Sequence, residues 1–170
     1  MTILNHYLSM LVFATGLLLG VQLPNWVNQY VQRIDAHFLE AQLNITPYQK
    51  LADEMFNGSI AALIERHQQS QEKLFQREAA PIQQQFERFN YLKQQRQLLS
   101  QSLWQQLWQL AKHIDHDIAR ETIAKYQATI PLHQAAILCG LIGGVLASIL
   151  YEILRNLLSF KWLRRRKIAA

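Results

Sequence analysis

The densest group of side chains able to do chemistry is His113-Ile114-Asp115-His116-Asp117. Imidazoles and carboxylates at this spacing could ligate a metal ion. Their setting argues otherwise. His113 and His116 close one helical pattern, a break follows, and Asp115 or Asp117 stands where a helix N-cap is wanted. The segment reads as a helix junction, and no metal or cofactor is expected there. His37 and His67 sit alone on helical faces, and His133 precedes an apolar run; none of the three asks for a special role. Trp104 and Trp108 lie one turn apart beside Leu103, Leu107 and Leu110. An aromatic pair can form a binding patch, but a place on a helical stripe favours core or membrane-surface packing.

The motifs of the common enzyme classes are absent. There is no Gly-rich phosphate loop, no Gly-x-Ser-x-Gly and no His-Glu-x-x-His. The single cysteine, Cys139, lies inside an apolar run, so neither an internal disulfide nor a paired-cysteine zinc site can form. No catalytic residue is assigned, and the chain is not expected to be an enzyme.

The mean hydropathy of −0.07 conceals a strong partition. Residues 1–23 hold no Lys, Arg, Asp or Glu; residues 24–132 hold 11 basic and 11 acidic; residues 133–170 hold 6 basic and 1 acidic. The whole net charge of +5 thus sits at the C-terminal end. The balanced middle lacks the basic face of a nucleic-acid binder. Two apolar runs, Tyr7 to Leu23 and Ala135 to Tyr151, each cover 17 uncharged residues. At 1.5 Å per residue each reaches about 26 Å, close to the hydrocarbon thickness of a bilayer. The first has no basic residue before it and no Ala-x-Ala after it, so a retained anchor is expected instead of a cleaved signal. The second should extend to about Leu158. There Glu152 and Arg155 lie one turn apart and can pair, which explains Glu152 better than an intramembrane function does.

Arg155, Lys161, Arg164, Arg165, Arg166 and Lys167 follow the second run. Basic flanks stay cytoplasmic, so both termini are expected in the cytoplasm and the middle outside. The tail should meet anionic lipid headgroups. Trp26 and Tyr30 at one end, with Tyr7, Tyr151 and Trp162 at the other, read as interfacial anchors. Both runs carry small residues at helical spacing: Gly16 with Gly20, Gly140 with Gly144 and Ser148, and Gly143 with Ala147. Such rows let helices approach closely in lipid, either within a hairpin or between copies.

The resulting division is 1–23, first transmembrane helix; 24–132, helical outer domain; 133–158, second transmembrane helix; 159–170, basic tail. Within the outer domain, Pro24 should kink or restart the chain. Thr46-Pro47 reads as a helix start, Asn57-Gly58 as a turn, and Ser59 as the next cap. A long helix is expected from about Pro81 to Lys112, and a last one from about Asp117 to Tyr126. The 21 glutamines are interleaved with Leu, Phe and Trp and read as solvated helix faces, not as a disordered tract.

Four segments carry a resemblance. They are GLLLGVQLPNWVNQYVQRIDAH (Gly16 to His37), FNGSIAALIERH (Phe56 to His67), Pro81-Ile82, and RETIAKYQATIPL (Arg120 to Leu132). With them the chain resembles a proteobacterial inner-membrane family known as domain of unknown function 2937. The resemblance implies two spans in a bacterial inner membrane and a periplasmic outer domain, and transfers no activity or binding residues. The expectation is an all-α, two-span hairpin with an inserted periplasmic domain, acting without catalysis as an interaction or scaffold module. A membrane or periplasmic protein partner or a homo-oligomer would fit it. The alternative is an oligomer in transport or envelope-stress handling, which the few polar residues in the spans (Ser9, Thr15, Ser148 and, at the end of the first, Gln22) disfavour.

Overall fold

The computed structural model describes the backbone of residues 2–129, 131 and 133–168, and the side chains of 3–129, 131 and 133–157. Six helices make up the described chain: α1 Thr2–Met55, α2 Ile60–Gln68, α3 Lys73–Leu98, α4 Leu103–His113, α5 His116–Ala124 and α6 Gln134–Ile168. They form two compact units, Met1–Asn28 with Lys125–Ala170, and Gln29–Ala124.

In the first unit α1 and α6 meet along a glycine seam. A Cβ placed on Gly16 would stand 2.6 Å from the Gly143 carbonyl oxygen and 2.5 Å from Ala147 Cβ. One on Gly20 would collide with the Cys139 carbonyl, and one on Gly140 would stand 2.7 Å from Val21 Cγ2. Gly144 faces the Phe13 ring. The glycines of both rows are therefore in contact within the chain, which is the hairpin use of the small-residue spacing. Away from the seam, Leu4, Leu8, Leu18, Leu19, Leu138, Ile142, Leu146 and Ile149 are exposed. Both helices are long and apolar enough to cross a membrane, and only 17% of the most apolar window of each is buried. Glu152 and Arg155 pair at 2.5 Å. His133 caps α6: its carbonyl accepts from the Ala136 and Ile137 amides, and its Nδ1 lies 3.3 Å from the Ala136 amide. Helix α6 runs on to Ile168 past the expected limit near Leu158. The side chains of Lys161, Trp162, Arg164, Arg165, Arg166 and Lys167 lie outside the described ones.

In the second unit α1 and α3 run antiparallel: Asp35 pairs with Arg96, Phe38 stacks on Phe89, and Glu40 meets Arg88. The inner face of α1 is Tyr30, Ile34, Phe38, Ala41, Ile45 and Ala52, a recurrence of three, four or seven residues that keeps one stripe inward. Ile45, Ala52, Ile60, Leu63, Ile64 and Ile82 form the core where α2 joins, with Phe56, Phe86 and Phe89 against it.

Three prolines behave differently from expectation. Pro24 does not restart the chain, and Thr46-Pro47 does not start a helix; α1 passes through both. Pro81 lies inside α3, not at its beginning. Each proline removes one intrahelical hydrogen bond, at a cost of about 3 kcal/mol in an isolated helix. Burial of Ile45 and Ala52 around Pro47, and of Ala79 and Ile82 around Pro81, offsets this cost. Pro47 and Pro81 are themselves exposed, so the carbonyls they free can reach water. Thr46 Oγ1 also donates to the Gln42 carbonyl at 2.6 Å.

The expected Pro81–Lys112 helix is broken instead at Leu99–Ser102. Serines favour helix ends over interiors, and here Ser102 caps α4. The Ser102 amide and hydroxyl both donate to Gln105 Oε1, at 3.2 and 2.8 Å. Gln106 Nε2 bridges the turn to the carbonyls of Leu99 and Gln101. The turn at Asn57-Gly58 is as expected, with φ of 50° and 82°, and so is the Ser59 cap, which accepts from the Ala62 amide.

Candidate functional site

The polar side chains of the second unit converge where α1, α3 and α5 meet. Arg33, His37 and Glu40 share one flank of α1, being four and three residues apart. Glu121 on α5 joins two of them: Oε1 accepts from Arg33 Nη1 at 2.6 Å, and Oε2 lies 2.8 Å from His37 Nε2. A carboxylate can only accept, so Nε2 carries the proton. His37 Nδ1 then faces two partners of opposite kind, Arg88 Nη2 at 3.4 Å and Glu40 Oε2 at 3.5 Å. Neutral imidazole accepts from the guanidinium; protonated imidazole donates to the carboxylate.

Beside this cluster Asp115 ties the α4–α5 junction to its neighbours. Its Oδ1 accepts from the Asp117 and Ile118 amides at 3.0 Å, which is the α5 cap. Its Oδ2 accepts from the Tyr91 hydroxyl at 2.9 Å, and its own amide donates to the Tyr30 hydroxyl at 3.0 Å. Burial, with the Asp115 carboxylate beside it, pushes the Tyr91 hydroxyl up to about 12, so it stays a donor at neutral pH. Burial likewise raises the Tyr30 hydroxyl. Tyr30 is fully buried. It is a core residue, not the interfacial anchor its place in the sequence had indicated.

A cleft of about 220 Å³ opens here, lined by His37, Arg88, Tyr91, Leu92, Asp115, Asp117, Ile118 and Glu121. Its lining holds three carboxylates, of which Glu121 is paired with Arg33 and His37, and Asp115 is taken up by the α5 cap and the Tyr91 hydroxyl. The arrangement is therefore a three-helix staple in the first place, with room for a few waters. The His37 hydrogen bond and the Arg33 guanidinium hold the Glu121 carboxyl below its ordinary range. A lowered carboxyl stabilises the fold above the unfolded-state value, and that contribution is lost as pH falls through the folded value. Glu121 is about one-third exposed, and screening keeps the effect within about 1 kcal/mol. Glu121→Gln should lower the melting temperature at pH 7, and its gap from the parent should close below about pH 4. Parallel thermal melts of both chains from pH 7 to 3 check this.

The sequence-level candidates fare unevenly. His113 and His116 are exposed and Asp117 almost fully so, while Asp115 is engaged in the cap. Among the described residues no three His, Cys, Asp or Glu side chains form a metal-holding group. Trp104 and Trp108 are 56% and 62% exposed, which removes the core-packing reading and leaves the surface ones. Lys112 Nζ sits 4.4 Å from the Trp108 ring centroid. His37, read as isolated, is at the centre of the ion-pair cluster. The local signal was there in the Arg33, His37, Glu40 spacing, but Arg88 and Glu121 are distant in sequence.

A second polar cluster, in the first unit, also escaped the sequence reading. Asn25 is buried on α1. Its Nδ2 lies 3.0 Å from the Gln127 carbonyl and 3.1 Å from the Tyr126 hydroxyl, and its Oδ1 accepts from Thr129 Oγ1 at 3.1 Å. Tyr126 donates to Gln22 Oε1 at 2.6 Å, and Gln22 Nε2 donates to the Thr129 carbonyl. The segment before α6 is thereby laced to α1. A wider groove of about 680 Å³ lies in the second unit among Met55, Phe56, Phe75, Arg66, His67 and Glu72, with apolar and polar side chains mixed along its wall.

No curated protein and no solved structure matches the chain. A family model does, over residues 4–165, nearly the whole chain and both units. The chain belongs to the family described as protein of unknown function (DUF2937).

Proposed function

We propose that the protein is a membrane-anchored helical interaction module of the bacterial inner membrane. Helices α1 and α6 cross the bilayer as a hairpin, both termini are cytoplasmic, and Gln29–Ala124 stands in the periplasm to engage another protein. The observation that carries this reading is the glycine seam. It joins α1 and α6 through their smallest residues and leaves their Leu and Ile side chains outward. In water that surface would be far larger than soluble monomers expose; in lipid it is the expected arrangement, since apolar side chains gain little from each other there. The basic tail after α6 supports the orientation. The groove among Met55, Phe56 and Phe75, with exposed apolar side chains beside Arg66 and Glu72, supports a protein-binding surface.

The test is crosslinking in intact cells, then alkaline extraction of the membranes and purification in mild detergent. The chain should stay with the membranes and bring a reproducible crosslinked protein. Release by alkali would overturn the anchor. An uncrosslinked monomer in every preparation would overturn the interaction role.

A further inference from the structure

Helix α4 buries only half of its apolar arc. At roughly 100° per residue, Leu110, Leu103, Leu107, Ala111, Trp104 and Trp108 follow one another around about 160° of the helix. Leu103, Leu107 and Leu110 turn inward; Ala111, Trp104 and Trp108 are exposed. The rest of α4 is glutamine with Lys112 and His113, and the helix contains no carboxylate. Lys112 lies over the Trp108 ring at the edge of this face.

We infer that this Trp104–Trp108 face seats in the headgroup region of an anionic bilayer, the one that α1 and α6 cross. Three observations select lipid as the occupant. Indole rings favour the membrane interface, where one edge is apolar and the N–H is wet. A helix with Lys112 and no acidic residue complements anionic headgroups, and the Lys112 stem can lie along the ring while its ammonium reaches phosphate. Chain connection sets the reach. The amide of Asp115, two residues past α4, donates to the Tyr30 hydroxyl, and Tyr30 is seven residues beyond Leu23, the end of the first apolar run. Seven residues span at most about 25 Å even fully extended. The α4–α5 junction is thus tethered within that reach of the first apolar run.

The inference rests on the membrane-hairpin reading, and the experiment separates the two. The full chain is reconstituted in phosphatidylglycerol–phosphatidylethanolamine vesicles, with and without lipids brominated near the headgroup. The native chain is compared with W104F/W108F, which keeps apolar bulk at both positions. Flotation with the vesicles tests the hairpin reading, and far-ultraviolet dichroism confirms that the variant is folded. The native-minus-variant emission should be blue-shifted, quenched by the brominated lipids and protected from aqueous acrylamide. A chain that floats but whose difference emission is water-like and untouched by bromine overturns the inference and leaves the hairpin standing. Blue-shifted emission protected from both quenchers assigns the face to a protein contact and also overturns it. A chain that does not float defeats the hairpin reading, and with it this inference.

Discussion

Gly143→Leu should dismantle the α1–α6 hairpin. A Cβ at this position would stand 2.5 Å from the Gly16 carbonyl oxygen, 3.0 Å from Gly20 Cα and 3.3 Å from the Gly20 amide nitrogen. All three neighbours are backbone, so no rotamer change relieves the clash. The helices must move apart, which also separates Gly16 from Ala147 and Gly20 from Cys139. Overpacking of a tight contact costs about 1–3 kcal/mol where side chains can shift. Here even alanine should reach the top of that range, and leucine should exceed it. Lipid provides no compensating hydrophobic drive to reform the pair. Gly144→Ala is the internal control, because its Cβ would meet the Phe13 ring, at 2.7 Å from Cε2, and a side chain can swing aside. Denaturant titration in micelles with donor and acceptor dyes on the two helices measures both. If Gly143→Leu keeps its energy transfer while Gly144→Ala loses it, the seam is wrongly placed.

Asn25→Ala should cost about 1 kcal/mol, the net scale of a lost hydrogen bond, because the exposed partners Gln127 and Thr129 can turn to water. The Gln127 carbonyl loses the Asn25 amide, and Thr129 Oγ1 loses its acceptor. Tyr126 keeps its bond to Gln22, so the loss should be local to the segment before α6 and not global. Limited proteolysis should find new cleavage at residues 125–129 while helicity is retained. A cycle with Thr129→Val isolates the coupling: the double variant should lose less than the two single losses combined. Strict additivity would mean that Asn25 and Thr129 do not act together.

Several features were legible because they are local. The two apolar runs, the charge partition and the absence of strand patterning are properties of short windows. The Asn57-Gly58 turn, the Ser59 cap and the Asp115 cap depend on backbone preferences a few residues long, and the structure forms all three. The glycine rows were visible as spacing, but not what they face.

Prolines were the main source of error. Pro24, Pro47 and Pro81 carry a local cost, and a local reading makes each a boundary. Contacts made elsewhere in the chain carry the helix through: buried Ile45 and Ala52 on either side of Pro47, and Ala79 and Ile82 about Pro81. The His37 site was hidden for the same reason. Glu121 lies 84 residues from His37, Arg88 lies 51 away, and the Asn25 cluster joins residues about 100 apart. The sequence alone therefore determined what each segment is, because hydropathy, charge and capping act within a turn or two of helix. Only the tertiary structure decided which segments meet: that Gly16 and Gly20 meet α6, that Tyr30 is core, and that Glu121 closes on Arg33 and His37. Such pairings depend on the shape and charge of surfaces far apart in the chain, and no single stretch of residues contains both halves.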